Sequence, residues 1–145
     1  MKLIGSAWSV VSRSTLVCVL LYAVGCSVPN LDPPECADSR DNVKEFYSWY
    51  VATDAQQRSK SSEMFEKFVA AEYRSQTSSS VDPYVLTSDF PKAFRVGECR
   101  VVEPRKRTQF DVLLFWKDDV RSEQRSIKVD TENIGGRWLI RGVTQ

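Results

Sequence analysis

Four cysteines and no histidine define the chemistry open to this 145-residue chain. A thiol can accept an acyl or alkyl group, pair as a disulfide or ligate a metal. The missing imidazole removes Ser–His and Cys–His nucleophile pairs, a histidine general base and the usual zinc sites. No Cys-x-x-Cys spacing occurs among Cys18, Cys26, Cys36 and Cys99, so a redox motif or metal clamp has no local scaffold. Ser59-Lys60-Ser61 is formally a Ser–Lys pair, but it lies in a polar run without a visible framework. Asp111, between Phe110 and Val112, is the best candidate for a partly buried pocket acid; strand alternation puts it on the side of Leu113 and Phe115. The plainer reading pairs it with Arg100 or Arg125 near a sheet edge. Arg105-Lys106-Arg107 is the densest run of charge: a solvated hairpin tip, or a contact for anionic headgroups, lipopolysaccharide or an acidic partner. Gly135-Gly136 reads as a turn, not a phosphate cradle. Nothing in the pattern implies a metal or cofactor.

Cys26 is the cysteine with the most specific surroundings. It closes an apolar run over 15–24 and follows Ala23-Val24-Gly25, which resembles the bacterial lipobox, where the thiol receives a diacylglycerol and the leader is cut before it. Residues 1–13 carry Lys2 and Arg13 and no acid, and the apolar core over 14–24 falls in the ~7–15 residues of a signal peptide, short of the ~20 needed to span a bilayer. An uncleaved anchor reaching back through Trp8 is interrupted by Arg13, and an ordinary secretion signal lacks a better cleavage site. The lipobox resemblance implies residues 1–25 as signal peptide, Cys26 as the acylated first residue and, since Ser27 and not Asp follows it, delivery to the outer membrane. One acyl chain binds a bilayer reversibly and two or three hold stably.

With the leader gone, 120 residues remain, enough for one domain with a modest core. They carry 18 bases against 19 acids, a net charge of −1 that offers no electrostatic case for nucleic acid. Cys36 and Cys99 are then the remaining pair, and an oxidising periplasm favours a disulfide between them, with a redox-active pair as the alternative.

The mature chain divides by its periodicity. Residues 26–36, with Pro29, Pro33 and Pro34, read as an extended tether, and 37–145 as a single domain. Val43, Phe46, Tyr47, Tyr50 and Val51 predict a helix over 41–53, capped by Asp38 or Ser39, with Trp49 projecting off its apolar face. The polar run 56–61 reads as a loop. A second helix over 62–74 places Met64, Phe65, Phe68, Val69 and Ala71 inward. Residues 75–94, with three serines, Asp82-Pro83 and Pro91, predict irregular structure of the kind that lines pockets. Strands follow over 95–102, 108–117, 123–132 and 137–144. The second is apolar on both faces and belongs mid-sheet; the last alternates Trp138, Ile140 and Gly142 against Leu139 and Val143. Helices first and an antiparallel meander after them is an α+β plan.

Three segments together resemble a family of small Gram-negative lipoproteins and periplasmic proteins of unknown function (YbjP-like). They are Val43-Lys44-Glu45-Phe46-Tyr47-Ser48-Trp49-Tyr50, then Asp82-Pro83-Tyr84 with Asp89-Phe90, then Gly136-Arg137-Trp138-Leu139-Ile140-Arg141-Gly142-Val143. The resemblance covers most of 36–144 and implies a cystatin-like fold of the nuclear transport factor 2 type, with N-terminal helices in the concavity of a curved four-stranded sheet. It implies fold better than activity.

The leading functional expectation is a non-enzymatic accessory lipoprotein, held at the membrane by its lipid, whose exposed aromatics Trp49, Tyr84 and Phe90 contact an envelope partner. A second is a module for a small apolar ligand in the helix–sheet cavity, with Phe115, Trp116 and Trp138 available to line it. A third is an immunity protein against a wall-degrading toxin, and a fourth an enzyme working through Asp111.

Overall fold

Pro33 and Pro34 start the first helix. Pro34 occupies its first position, where the missing N–H has no partner to lose and the fixed φ already suits a helix. Helix α1 runs Pro34–Ala52, so its first turn takes up Pro34, Glu35 and Cys36, which the sequence assigned to the tether. Ser39, a candidate cap, lies inside the helix instead, with its hydroxyl bonded to the Glu35 carbonyl. The computed structural model describes residues 32–75 and 81–145, and Asp32–Gln145 form one compact unit. The leader, Cys26, Ser27 and the serines 78–80 lie outside the described residues.

Thr53 ends α1 by returning its N–H and its hydroxyl to the Trp49 carbonyl. Asp54 then caps a short helix, α2 (Ala55–Lys60), accepting from the Gln57 N–H at 2.9 Å. The run 56–61 is therefore helical through Lys60 where a loop was expected: its own apolar content is too low to signal a helix, and the cap at Asp54 starts one. Helix α3 (Ser62–Phe68) follows, but it does not continue to 74. Val69 turns extended and bridges Ile140 in parallel, Ala70 donates its N–H to the Ile140 carbonyl at 2.8 Å, and α4 (Ala71–Arg74) resumes. A tertiary hydrogen bond to the sheet wins over continued helical pairing.

Four antiparallel strands, in the order β1–β2–β3–β4, make a curled, open sheet: β1 Ala93–Glu103, β2 Arg107–Lys117, β3 Ser122–Ile134 and β4 Arg137–Thr144. The fold class is α+β, as the order of periodicities predicts. Gly135 and Gly136, both at positive φ, close the β3–β4 hairpin in the two-residue turn that requires it. Strand β2 alternates without a break: Phe110, Val112, Leu114 and Trp116 face inward, Leu113 and Phe115 outward. Strand β4 does not. A bulge at Arg141 lets Gly142 pair with Asp130 and Ile140 with Thr131, so Ile140 and Val143 both reach the core, against the expectation that they lie on opposite faces.

The inner face of the sheet packs on α1, whose Val43, Phe46, Tyr47 and Tyr50 are all buried. Phe46 sits at the centre, with Tyr47, Tyr50 and Tyr84 rings within 5.2 Å. Near the start of α1 the contact is polar. Ser39 donates to Glu35 O, so it accepts from Thr108, 2.8 Å away, and Thr131 in turn donates to Thr108 at 2.7 Å. Each hydroxyl in this buried chain is satisfied, which removes the cost of placing it there. Cys36 and Cys99 are joined as a disulfide with Cα atoms 6.0 Å apart, and Arg40 donates to Gly97 O at 2.7 Å, so the first turns of α1 are fastened to edge strand β1.

Candidate functional site

Phe65 on α3 is where two of the aromatics singled out in the sequence, Trp49 and Tyr84, converge, while Phe90 lies 5.6 Å from Tyr50. The Phe65 ring lies 5.2 Å from Trp49, 6.1 Å from Tyr50 and 5.6 Å from Tyr84. The helical spacing explains this: Trp49 flanks the inward face of α1, and α3 lays Met64, Phe65 and Phe68 alongside it. Trp49 and Phe90 are half-buried, whereas Tyr84 is 3% exposed, a correction to its expected role as an exposed anchor. The cause is the segment after Val81, which folds Tyr84 inward over Phe46.

Two surface features flank Phe65. One is a groove of about 590 Å³ between α1 and α3, with Trp49, Met64 and Phe68 on its floor and Lys44, Glu45 and Lys67 at its rim. Lys67 and Glu45 pair across it at 3.2 Å. The other is a slot of about 290 Å³ bounded by Phe65 and Tyr84, with Ser59, Ser62 and Arg74 completing the lining. It adjoins a cleft of about 270 Å³ that includes Tyr50, Arg58, Asp82 and Phe90.

Arg58 and Asp82 hold this region together. Arg58, 8% exposed, donates to the Tyr50 and Thr53 carbonyls at the end of α1, and its guanidinium lies 3.6 Å from the Phe90 ring centre. The cation thus closes helix carbonyls that have no intrahelical partner and covers an aromatic face. Asp82 accepts from the Tyr84 and Val85 N–H groups with one oxygen and from the Tyr50 hydroxyl at 2.7 Å with the other. Tyr47 donates to Tyr84 O and Tyr73 to Pro83 O. Burial pushes the hydroxyls of Tyr47, Tyr50 and Tyr84 well above the ordinary phenol range and that of Tyr73 to about 12, with the Asp82 charge adding to the effect. All four stay protonated, and Tyr47, Tyr50 and Tyr73 act as donors.

The remaining sequence candidates lie elsewhere. Asp111 sits on the outer face of the sheet, 40% exposed, and pairs with Lys128 at 2.7 Å. Its expected partners are engaged differently, Arg100 with Gln109 and Arg125 with Glu123. Lys128 lies directly opposite Asp111 in the β2–β3 register, which brings the two side chains together on one face. Asp111 is therefore a half-exposed acid in a shallow cleft with Glu98, Arg100 and Gln109, outside the helix–sheet interior. Arg105 and Lys106 occupy the β1–β2 turn, with Arg105 at positive φ and Lys106 paired with Glu103; Arg107 opens β2. Trp116 fills the core, Trp138 is buried and Phe115 lies outward, so these three do not line a common cavity. Among the described residues no cluster of ligating side chains has metal-site geometry, and no helix is long and apolar enough to cross a membrane.

Sequence reasoning missed Phe65 as the hub, Arg58 and Asp82. Arg58 stands in a polar run with nothing to mark it. Asp82 had a signal, since an Asp two residues before a backbone N–H it can accept is a common turn former.

No protein-family model matches the chain, and no curated protein matches it. A crystal structure of a protein of unknown function from Bacteroides thetaiotaomicron VPI-5482 is similar, with a TM-score of 0.55 and 17% identity over 93% of this chain and 96% of that one. At that identity the likeness concerns the fold alone.

Proposed function

We propose that this chain is a lipoprotein of the Gram-negative envelope, acylated at Cys26 and held at the periplasmic face of the outer membrane, where it acts as a non-enzymatic accessory protein for an envelope partner. One observation carries the partner reading. The inner face of the sheet is filled by the aromatic face of α1, and the hydroxyls of Tyr47, Tyr50, Ser39, Thr108 and Thr131 bond internally. Among the described residues, an apolar surface left for recognition is the groove of Trp49, Met64 and Phe68, in which the half-buried Trp49 of α1 lies beside α3. Tryptophan is among the residue types enriched at the hot spots that carry most interface binding energy.

The anchor suits this role. Pro34 follows Cys26 by eight residues, which at full extension reach roughly 30 Å, so the groove stays close to the membrane surface. The anchoring half of the proposal is tested by the intact mass of the protein from cell membranes. A chain beginning at Cys26 and carrying diacylglycerol, together with release of Cys26→Ser into the soluble fraction, supports it. An unmodified chain in the soluble fraction overturns it.

A further inference from the structure

The end of the sheet where α1 begins gathers bases and exposed apolar side chains. The Asn133 N–H donates to the Lys106 carbonyl at 2.8 Å, which ties the β1–β2 turn to the approach of the β3–β4 hairpin. Arg105 and Lys106 on the first turn, Arg107 at the start of β2 and Arg137 at the start of β4 therefore share one end. Lys106 pairs with Glu103, whereas Arg105, Arg107 and Arg137 have no ion-pair partner among the described residues. The acids flanking these turns, Glu103 and Glu132, are both paired, the second with Arg141 at 3.3 Å. Arg105 keeps a φ of 60°, so a base stands where the backbone alone favours glycine. Val102, at a register shift in β1, and Ile134, at the end of β3, are exposed beside these bases.

The same end holds the root of the segment that leads back to Cys26. Pro34 opens α1, and its first turns are fastened to β1 by the Cys36–Cys99 bond and to β2 by the 2.8 Å contact of Ser39 with Thr108, which adjoins Arg107. Glu35 and Asp38, the acids of those turns, lie on α1 and not on the two sheet turns. From Ser39 the helix carries Trp49 about 15 Å away from this end. Unpaired bases interleaved with exposed apolar side chains match an anionic bilayer surface, where phosphates meet the charges and apolar groups enter the headgroup boundary.

We propose that this end of the sheet docks on anionic phospholipid headgroups, with Arg105, Arg107 and Arg137 against the phosphates and Val102 and Ile134 between them, leaving the Trp49 groove clear of the bilayer. The proposal rests on the lipoprotein reading, because the tether is what brings this end to the membrane. Each base near an anionic surface is worth about fivefold in association, so neutralising two lowers the docked population about 25-fold.

The test places the protein from cell membranes in nanodiscs of phosphatidylcholine, with and without phosphatidylglycerol, and adds a gadolinium-bearing lipid whose headgroup broadens nearby amide resonances. In anionic discs the Val102 and Ile134 amides are expected to broaden several-fold more than that of Val120, which is exposed at the opposite end of the sheet. The contrast is expected to vanish in neutral discs, and in anionic discs for Arg105→Asn combined with Arg137→Gln. Both positions are exposed, and Asn tolerates positive φ. Equal broadening at the three positions, as an acidic protein partner for this end would give, overturns the proposal. So does the same contrast in neutral discs, or a contrast unchanged in the double variant. The intact mass of the same sample reads Cys26 separately. Contrast lost with Cys26 acylated overturns the docking alone; contrast kept with Cys26 unmodified supports the docking and overturns the anchor.

Discussion

The Tyr50 hydroxyl donates to Asp82 across 2.7 Å, and that bond fixes α1 to a segment with no regular structure of its own. Asp82 spends its other oxygen on the N–H groups of Tyr84 and Val85, so one side chain sets the turn that carries Tyr84 into the aromatic cluster. The slot and the Phe65 hub both follow from where Asp82 holds Tyr84.

Replacing Asp82 by Ala leaves the Tyr50 hydroxyl and two N–H groups without their acceptor, and a cost of about 3 kcal/mol is expected. Asp111→Ala removes a half-exposed ion pair with Lys128 and is expected to cost less than ~1 kcal/mol. Urea unfolding of the two variants checks the contrast. Equal losses would mean that Asp111 supports the fold far more than its ion pair implies.

The tyrosines give the fold a limit at high pH. Their folded values lie above the unfolded value near 10, so the stability they supply is complete below pH 10 and is lost as pH rises beyond it, because the unfolded chain releases those protons first. Tyr47 and Tyr50 each remove roughly 1.4 kcal/mol by pH 11, and Tyr73 and Tyr84 add comparable losses. Denaturant midpoints at pH 8 and pH 11, with phenolate absorbance followed in parallel, read this directly. Phenolate signal from residues 32–145 is expected to appear together with unfolding; ionisation of most of these tyrosines near pH 10 in a folded chain would contradict it.

The Cys36–Cys99 bridge closes a long loop, with a sequence separation of 63 residues. Loop-closure entropy assigns it about 4 kcal/mol. Reduction should therefore lower the urea midpoint of the wild-type chain to that of Cys99→Ser, and the variant itself should not respond to reductant. A wild-type midpoint unmoved by reduction would show that the hydrogen bonds of Arg40 and Ser39 already hold the start of α1.

The strands were legible because β2 and its neighbours alternate in register over long runs, and the inward rows of β2 follow directly from that period. The start of α1 was not, since Pro33-Pro34 signals a tether as readily as a helix start, and Cys36 and Ser39 do not register as an apolar face. The break at Val69 and the bulge at Arg141 are set by contacts between distant segments that no local pattern carries. At the candidate site, Trp49, Tyr84 and Phe90 stood out as aromatics, but the meeting of Trp49 and Tyr84 at Phe65 depends on the packing of α3 on α1, and Phe90 joins the cluster through Tyr50. Asp111 was assigned to the correct face of β2. Its partner was not foreseen because cross-strand register, which pairs it with Lys128, is invisible until the β2–β3 turn is fixed.

The central claim, a membrane-held chain that binds an envelope partner through the α1–α3 groove, is tested most directly by in-cell photocrosslinking from position 49 of the full chain, followed by mass spectrometry of the adducts. The account predicts one dominant envelope protein crosslinked from position 49, lost when Met64 is replaced by Glu, and absent when the crosslinker is moved to Val120, which is 96% exposed on the β2–β3 turn. No protein adduct from position 49, or the same set of adducts from both positions, would contradict it.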